Sequence, residues 1–267
     1  MGKKIGVVRK KGKERLDTLM LSRGLVLSRT RGQTLIMAGE VLVNGEKALK
    51  PSMLVPVDAR IEIISPLPYV SRGGIKLAAA LDAFSLDVAG RTCADVGACT
   101  GGFTDVLLQK GARRIYAIDV GYGQLHWKLR QEKRVVILER TNARNLQSLP
   151  ELVNFVSIDV SFISLRLILP TVKRWLEKSG DIVALIKPQF EAGRKNVGKG
   201  GIVRDPSIHR QVLSDILNWS IVNELAPLAL IQSPISGSDG NVEFFVWLRS
   251  DRETDLNVLD RINEVIG

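Results

Sequence analysis

The sequence predicts an α/β chain: a doubly wound, seven-stranded and mostly parallel sheet, preceded by a small α+β domain of different character. Three observations carry this. From Arg91 onward, strand-length apolar runs alternate with helical patterns, which implies a parallel sheet covered on both faces. Within that alternation, Thr92–Val96 reads as a buried strand that passes through Gly97, Gly101 and Gly102 into the helical pattern of Phe103, Val106, Leu107 and Leu108. The net charge of +10 is concentrated at the start: residues 1–66 hold 13 Lys/Arg against 6 Asp/Glu, and the rest of the 267 residues 25 against 22. A basic module of that kind suits a polyanionic partner.

The module begins with the basic run Lys3–Lys13, which reads as a solvated, flexible tail. Glu14–Arg23 is a short amphipathic helix, with Leu16, Leu19 and Met20 on one side and Arg15, Asp17 and Arg23 around them. Ser28 is placed to cap a second helix, Ser28–Ala38, whose Leu35 and Ile36 face inward and which Gly39 ends. Val41–Val43 is a strand, Asn44-Gly45 a type I′ hairpin signal, and Val55–Ile64 further strand. Pro66-Leu67-Pro68 continues neither helix nor strand and reads as a stiff linker. The expected domains are therefore residues 1–65, with 1–13 as the tail, a linker at 66–70, and residues 71–267.

Arg15-Leu16-Asp17, Ser28-Arg29 and Gly39-Glu40-Val41-Leu42-Val43-Asn44-Gly45 resemble the S4 RNA-binding domain over about residues 14–64. The resemblance implies that Arg15, Arg23, Arg29, Arg31 and Lys47 face RNA phosphates. Such contacts supply affinity but little sequence choice.

In the larger domain, Ser71 opens a helix running to about Phe84, with Leu77, Leu81 and Phe84 as its buried stripe and Lys76 beside them. After Thr92–Val96 the strands are Arg114–Val120, Val135–Thr141, Phe155–Val160, Asp181–Lys187, Leu228–Ile235 and Val242–Arg249, the last two hairpin-like. The helices are Thr104–Gln109, Leu146–Leu149, Ser164–Glu177 and Ser207–Asn223, with a short exposed helix after Asp251. No apolar run approaches the roughly twenty residues of a membrane helix. The basic N-terminus has no apolar segment behind it, as a signal peptide would. Cys93 and Cys99 show no partner pattern, and two His make a zinc site an unexpected feature. A reduced, cytoplasmic protein without bound metal is expected.

The Gly-rich turn asks for a ligand. Gly97-x-x-x-Gly101-Gly102 is neither the dinucleotide spacing nor a P-loop. Asp95 at the strand end would repel a pyrophosphate and suit a cation such as the α-ammonium of a methionine moiety. Asp119 closes the next strand, twenty-four positions on, where an acid commonly holds a ribose diol. Together they favour S-adenosylmethionine over NAD, against the plain alternative of a structural turn with a capping Asp.

Ligands in open α/β sheets bind at the strand ends, and three ends here carry a charge inside an apolar run: Asp159, Lys187 and Glu243. A buried charge is costly unless paired, so pairing alone would bring them together. With Lys76 they form a Lys-Asp-Lys-Glu set that resembles the tetrad of FtsJ-type ribose 2′-O-methyltransferases. Asp95-Val96-Gly97-Ala98 with Gly101-Gly102-Phe103 resembles the first motif of that family. The added S4-like module, and the runs Val70–Leu77 and Lys187–Asp205, resemble more narrowly the TlyA-type (haemolysin A) family of ribosomal RNA cytidine 2′-O-methyltransferases, from about Lys13 to Arg249.

The resemblance implies a class I, Rossmann-like methyltransferase fold with Lys76, Asp159, Lys187 and Glu243 as the catalytic set. It implies S-adenosylmethionine held by Asp95, Gly97, Ala98, Thr100, Gly101, Gly102, Phe103, Asp119, Val120, Asn142 and Asp159, with ribosomal RNA or ribosomal subunits as partner and no membrane or obligate protein partner. Cys99 departs from the usual Ser or Ala, and Asn142 from the usual acid at the adenine contact. A ribose hydroxyl must lose its proton as it attacks, and Lys187 is the expected acceptor, oriented by Asp159, while Lys76 and Glu243 position the ribose. The Gly-rich loop Gln189–Pro206, with Arg194, Lys195, Lys199 and Arg204, is expected as a lid that contacts RNA beside Arg72. A non-catalytic ribosome-assembly factor and a membrane-acting haemolysin are the rival classes.

Overall fold

The computed structural model describes residues 12–37, 39–64, 68–237 and 240–267. The basic run before Gly12, the expected helix end at Ala38, and Pro66 and Leu67 of the expected linker lie outside these. The chain divides into two compact units, Met1–Leu67 and Pro68–Gly267.

In the first unit, β1 (Lys13–Arg15) runs into α1 (Leu16–Ser22), followed by α2 (Arg29–Met37), β2 (Val41–Val43), β3 (Glu46–Lys47), β4 (Leu54–Pro56) and β5 (Ile61–Ile63). Ser28 caps α2 as expected, its Oγ accepting from the Arg31 N–H at 3.1 Å. Asn44 and Gly45 both have positive φ, 53° and 87°, the backbone a type I′ turn needs to join β2 to β3. The expected strand Val55–Ile64 is two strands. It breaks at a turn where Ala59 N–H bonds back to Pro56 O, so that β4 pairs with β1 and β5 with β2. Leu16, Leu19, Met20, Leu35, Ile36, Val41 and Val55 form the core of this unit.

The second unit opens with α3 (Arg72–Ala83), β6 (Thr92–Val96), α4 (Gly102–Gln109) and β7 (Arg114–Ile118). Then come α5 (Trp127–Arg130), β8 (Val135–Leu138), β9 (Val153–Ile158), α6 (Leu169–Trp175), β10 (Leu176–Ile186) and α7 (Pro188–Glu191). It closes with α8 (Pro206–Val222), β11 (Ala226–Gln232), β12 (Phe244–Arg249) and α9 (Val258–Ile266). Residues 68–70, expected as linker, are fastened to α4: Val70 N–H donates to Asp105 at 2.8 Å and Gln109 Nε2 to Pro68 O at 3.0 Å.

The seven strands lie in the order β11-β12-β10-β9-β6-β7-β8. All neighbours are parallel except β12, which is antiparallel to both β10 and β11. The central strand β6 is buried along its whole length, as a parallel strand covered on both faces must be. One apolar layer packs on each face, around Trp175, Ile182 and Leu213 on one side and Leu77, Phe103 and Leu107 on the other. The chain walks outward through β7 and β8, then returns to start β9 on the other flank of β6. The gap between β6 and β9 is the switch point where such sheets bind ligands.

Several expected elements differ: Glu14 and Arg15 belong to β1 rather than to the first helix, and β10 starts at Leu176 rather than Asp181. Leu146–Leu149 is not helical; a 3-10 turn at Ala143–Asn145, capped by Asn142, takes its place while Leu146 and Leu149 pack inward. The Ser164–Glu177 helix is a 3-10 turn at Leu165–Leu167 followed by α6, because Pro170 fixes the helix start. Val135–Thr141 ends as a strand at Leu138, before the positive φ of Arg140. The short helices α5 and α7 were not foreseen.

Candidate active site

The register of β6 with β9 places Asp159 directly beside Gly97: Asp159 N–H donates to Val96 O at 2.9 Å. Gly97 has φ 85°, and a Cβ there would stand 2.3 Å from Asp159 O, so neither the angle nor the space admits a side chain. On the next helix turn, a Cβ at Gly102 would meet Ser71 Oγ at 2.3 Å, which is how closely the starts of α3 and α4 approach. Between these two starts and the strand ends lies a cavity of about 260 Å³. Its floor is the turn Gly97–Thr100 with Gly102 and Phe103, one wall is Ser71, Arg72, Gly73 and Lys76, and the other is Asp159, Lys187, Ser236 and Glu243.

The four charged residues singled out in the sequence thus line one cavity. They meet as two ion pairs. Lys76 Nζ lies 2.5 Å from Glu243 Oε2, with both groups buried. Lys187 Nζ lies 2.6 Å from Asp159 Oδ1, and donates to Ser161 Oγ at 3.1 Å. The Lys187–Asp159 contact is short but outside hydrogen-bonding angles, so Asp159 Oδ1 has no hydrogen-bond partner. Asp159 and Lys187 immediately follow β9 and β10, and Glu243 immediately precedes the antiparallel β12, so all three sit on one edge of the sheet. Lys76 reaches them from the second turn of α3. Gly237 covers Glu243 from above, since a Cβ there would lie 2.5 Å from its Oε1.

Asp95 is a correction. The carboxylate expected to face an ammonium group does not line the cavity; it is fully buried beneath the turn. There its oxygens accept from Thr104 Oγ1 at 2.6 Å and Ser157 Oγ at 3.2 Å. Burial pushes its carboxyl up to about 7. Between the ordinary carboxyl range and about pH 7, the folded chain therefore keeps a proton that the unfolded chain has released. Stability from this group is full below that window and falls as pH rises through it, by up to about 1.4 kcal/mol per unit. Asp95→Asn, whose amide the two hydroxyls can accommodate, should gain stability relative to wild type between about pH 5 and about pH 8. Urea denaturation at both pH values checks this; an unchanging difference would show that Asp95 is ionised throughout.

Asp119 stands at the end of β7, outside the cavity but joined to its floor. Its Oδ2 accepts from Cys99 N–H at 2.7 Å and its Oδ1 from Gly121 N–H at 2.6 Å. Val120 beside it is 70% exposed. The Asn142 side-chain oxygen is occupied by Arg144 N–H at 3.0 Å, so an adenine contact there has to compete with that cap.

The basic residues divide into two groups. Arg72 is exposed on the cavity rim and donates to Ser236 O, while Arg194, Lys195, Lys199 and Arg204 are exposed on the loop after α7. Buried Asn241 ties that loop down, accepting from Val203 N–H and donating to Gly201 O, both at 2.9 Å. In the first unit, Arg31 and Lys47 are exposed. Arg29 and Arg23 are exposed as well and Arg15 partly so, and Arg15 and Arg29 also pair with the buried carboxylate of Asp17, at 2.9 Å each, with Gln33 joining them. The Arg15 guanidinium holds the Asp17 carboxyl far below the usual range, with Gln33 and Arg29 adding to it. Arg23 donates to the backbone oxygens of Val57 and Ala59, which makes it a brace within the unit. Among the described residues no group of His, Cys, Asp and Glu is arranged to hold a metal ion.

Ser71, Gly73, Ser161 and Ser236 line the cavity or contact its residues and are not among the expected site residues. The pair Gly73-Gly74 at a helix start was a usable signal, because two glycines there let the backbone come close to a ligand. Ser236 carried none.

The FtsJ-like methyltransferase model matches residues 69–250, and the S4 domain model matches residues 14–61. The chain belongs to the FtsJ-like methyltransferase family. YqxC of Bacillus subtilis is 49% identical over 243 residues, covering 88% of this chain and 85% of that protein. The 16S/23S rRNA (cytidine-2′-O)-methyltransferase TlyA of Mycobacterium tuberculosis is 45% identical over 253 residues, covering 91% of this chain and 92% of TlyA. A solved structure from Streptococcus thermophilus, carrying a hemolysin label, superposes with a TM-score of 0.74 at 44% identity over 96% of this chain and 95% of its own.

As a member of this FtsJ-like family the chain is a methyltransferase that uses S-adenosylmethionine, and the cavity fits it. The glycine floor leaves room for the cofactor, and Ser71, Arg72 and Gly73 at the start of α3 line the same cavity, where a helix N-terminus favours an anionic carboxylate. The Cys99 and Gly121 N–H groups hold in place Asp119, for which we propose a contact with the ribose diol. Asp119→Ala should weaken cofactor binding by about 1–3 kcal/mol, the cost of stranding hydrogen-bonding groups. Calorimetry giving an unchanged affinity would remove Asp119 from the site.

Proposed function

We propose that this FtsJ-like methyltransferase methylates the 2′-hydroxyl of cytidine ribose in ribosomal RNA, in the cytoplasm, with Lys187 as the proton acceptor. The carrying observation is the placement of two lysine–carboxylate pairs, Lys187–Asp159 and Lys76–Glu243, around one cavity beside the glycine turn. The substrate class is supported by TlyA, whose name specifies rRNA cytidine 2′-O-methylation, and by the S4 match over residues 14–61.

Bound S-adenosylmethionine supplies an electrophilic methyl group. The protein's part is to bring a weak nucleophile in line and to take its proton. Lys187 Nζ, as a neutral amine, accepts that proton; its hydrogen bond to Ser161 Oγ orients the amine, and the Asp159 carboxylate 2.6 Å away stabilises the charge it gains. The buried Lys76–Glu243 pair forms the inner wall and holds the ribose hydroxyls by hydrogen bonds. Outside, Phe162 is 91% exposed at φ 64° with its ring 4.9 Å from that of Phe190, a platform on which an unstacked base can lie. Arg72, Arg194, Lys195, Lys199 and Arg204 neutralise nearby phosphates, with Arg31 and Lys47 serving from the first unit.

Incubating the purified protein with methyl-labelled S-adenosylmethionine and separated small subunits, large subunits and naked ribosomal RNA tests this reading. Label should enter RNA from at least one of the three. Absence of label from all of them would contradict it and return the non-catalytic and hemolysin readings to the front. Among the described residues no helix is long and apolar enough to cross a membrane.

A further inference from the structure

The β9–β10 ladder ends at the Ala184–Ile158 pair, so the two segments that carry Asp159 and Lys187 run on past it without backbone pairing to each other. Each keeps a backbone anchor to its other neighbour, Asp159 N–H to Val96 O and Ile186 to Phe244 of β12, but only side chains tie the two segments together. The Lys187–Asp159 contact and the Phe162–Phe190 ring contact do so at the near end. At the far end Glu191, the last residue of α7, reaches back across. Its carboxylate accepts from Ser164 Oγ and from the Leu165 backbone N–H, each at 2.7 Å. Ser164 Oγ in turn accepts from Arg166 N–H at 3.2 Å, so one carboxylate organises the whole first turn of Leu165–Leu167.

Two features make this more than a routine surface bond. Burial pushes the Glu191 carboxyl up, opposed by its bonds to the Leu165 N–H and Ser164, so the group is kept partly buried at an energetic cost. The loop it closes also holds Phe162 in the left-handed region, which a bulky residue keeps only where its surroundings determine it. Since α7 is four residues long, its own helix bonds do little to fix its direction.

We propose that Glu191 is a positioning residue for methyl transfer: by tying α7 to the start of the Leu165–Leu167 turn, it sets the spacing of Lys187 and Asp159. The inference rests on the proposed role of Lys187. It assigns Glu191 no contact with substrate or cofactor.

Glu191→Ala and Glu191→Asp, in the full chain, test it by single-turnover methylation of the ribosomal substrate, calorimetry with S-adenosylmethionine and amide hydrogen exchange. In Glu191→Ala the rate at saturation should fall roughly 10²-fold, as expected for displacing a catalytic group by about 1 Å. Affinity for S-adenosylmethionine should stay at the wild-type value, and Glu191→Asp should restore part of the rate. Amides of Ile163–Leu167 should exchange faster in Glu191→Ala while β9 and β10 stay protected. A full rate in a Glu191→Ala protein whose loop exchanges faster would overturn the inference. So would a rate loss matched by lost cofactor affinity, with unchanged exchange at Leu165. A wild-type protein without methylation activity would sink the underlying reading instead, a result distinct from equal activity in wild type and variant.

Discussion

Lys187→Arg should be nearly as inactive as Lys187→Ala, both losing roughly 10²–10⁴-fold in methyl transfer, the usual worth of a positioned base. Arginine keeps some of what lysine supplies here and lacks the rest. It keeps a positive charge to pair with Asp159 and donors for Ser161, the two contacts Lys187 makes at 2.6 and 3.1 Å. It lacks a neutral form at any working pH, and so cannot take the ribose proton. Both variants should bind S-adenosylmethionine close to the wild-type level, because the glycine floor and Asp119 are untouched. Single-turnover methylation by both variants, with Lys76→Arg alongside, separates the roles. An active Lys187→Arg enzyme would make Lys187 a fixed partner of Asp159 and move proton acceptance to water or Lys76.

The second large effect is structural. Gly97→Ala should destabilise the second unit by about 3 kcal/mol or more, combining a left-handed backbone strain with an overpacked contact. The Cβ would fall 2.3 Å from Asp159 O and 2.9 Å from Asp159 C, both backbone atoms. Nothing there swings aside, so β6 and β9 must part at the point where the cavity floor meets Asp159. Cofactor binding should be lost along with stability. Thermal unfolding with and without S-adenosylmethionine reads both. A stable Gly97→Ala protein that still gains stability from the cofactor would show that the turn is looser than this geometry.

Much of this was legible beforehand because the informative residues break a pattern. Asp159, Lys187 and Glu243 stand out as single charges in apolar runs, and only pairing makes that tolerable at a sheet edge. Gly97, Gly101 and Gly102 stand out between a strand and a helix. What the sequence does not encode locally is which way a side chain faces. Asp95 lies at the right strand end but points beneath the turn, toward Thr104 and Ser157, because the following helix and the neighbouring strand supply the hydroxyls. Arg15, Arg23 and Arg29 look like a basic face, yet their partners, Asp17 and the Val57 and Ala59 carbonyls, become visible only once the chain is folded. The same holds for Glu191, whose partners Ser164 and Leu165 lie on another strand's loop. Short elements such as α5 and α7 carry too few residues to show a period.

A ribose 2′-O-methyltransferase leaves its methyl group on a ribose oxygen, and the position of that group on the RNA can be read chemically. Ribosomal RNA treated with the enzyme and S-adenosylmethionine would be digested to nucleosides and separated by mass spectrometry, with alkaline hydrolysis run in parallel. 2′-O-Methylcytidine is expected, with an adjoining linkage that resists alkali. A methyl group on the base, with the linkage still cleaved by alkali, would contradict it.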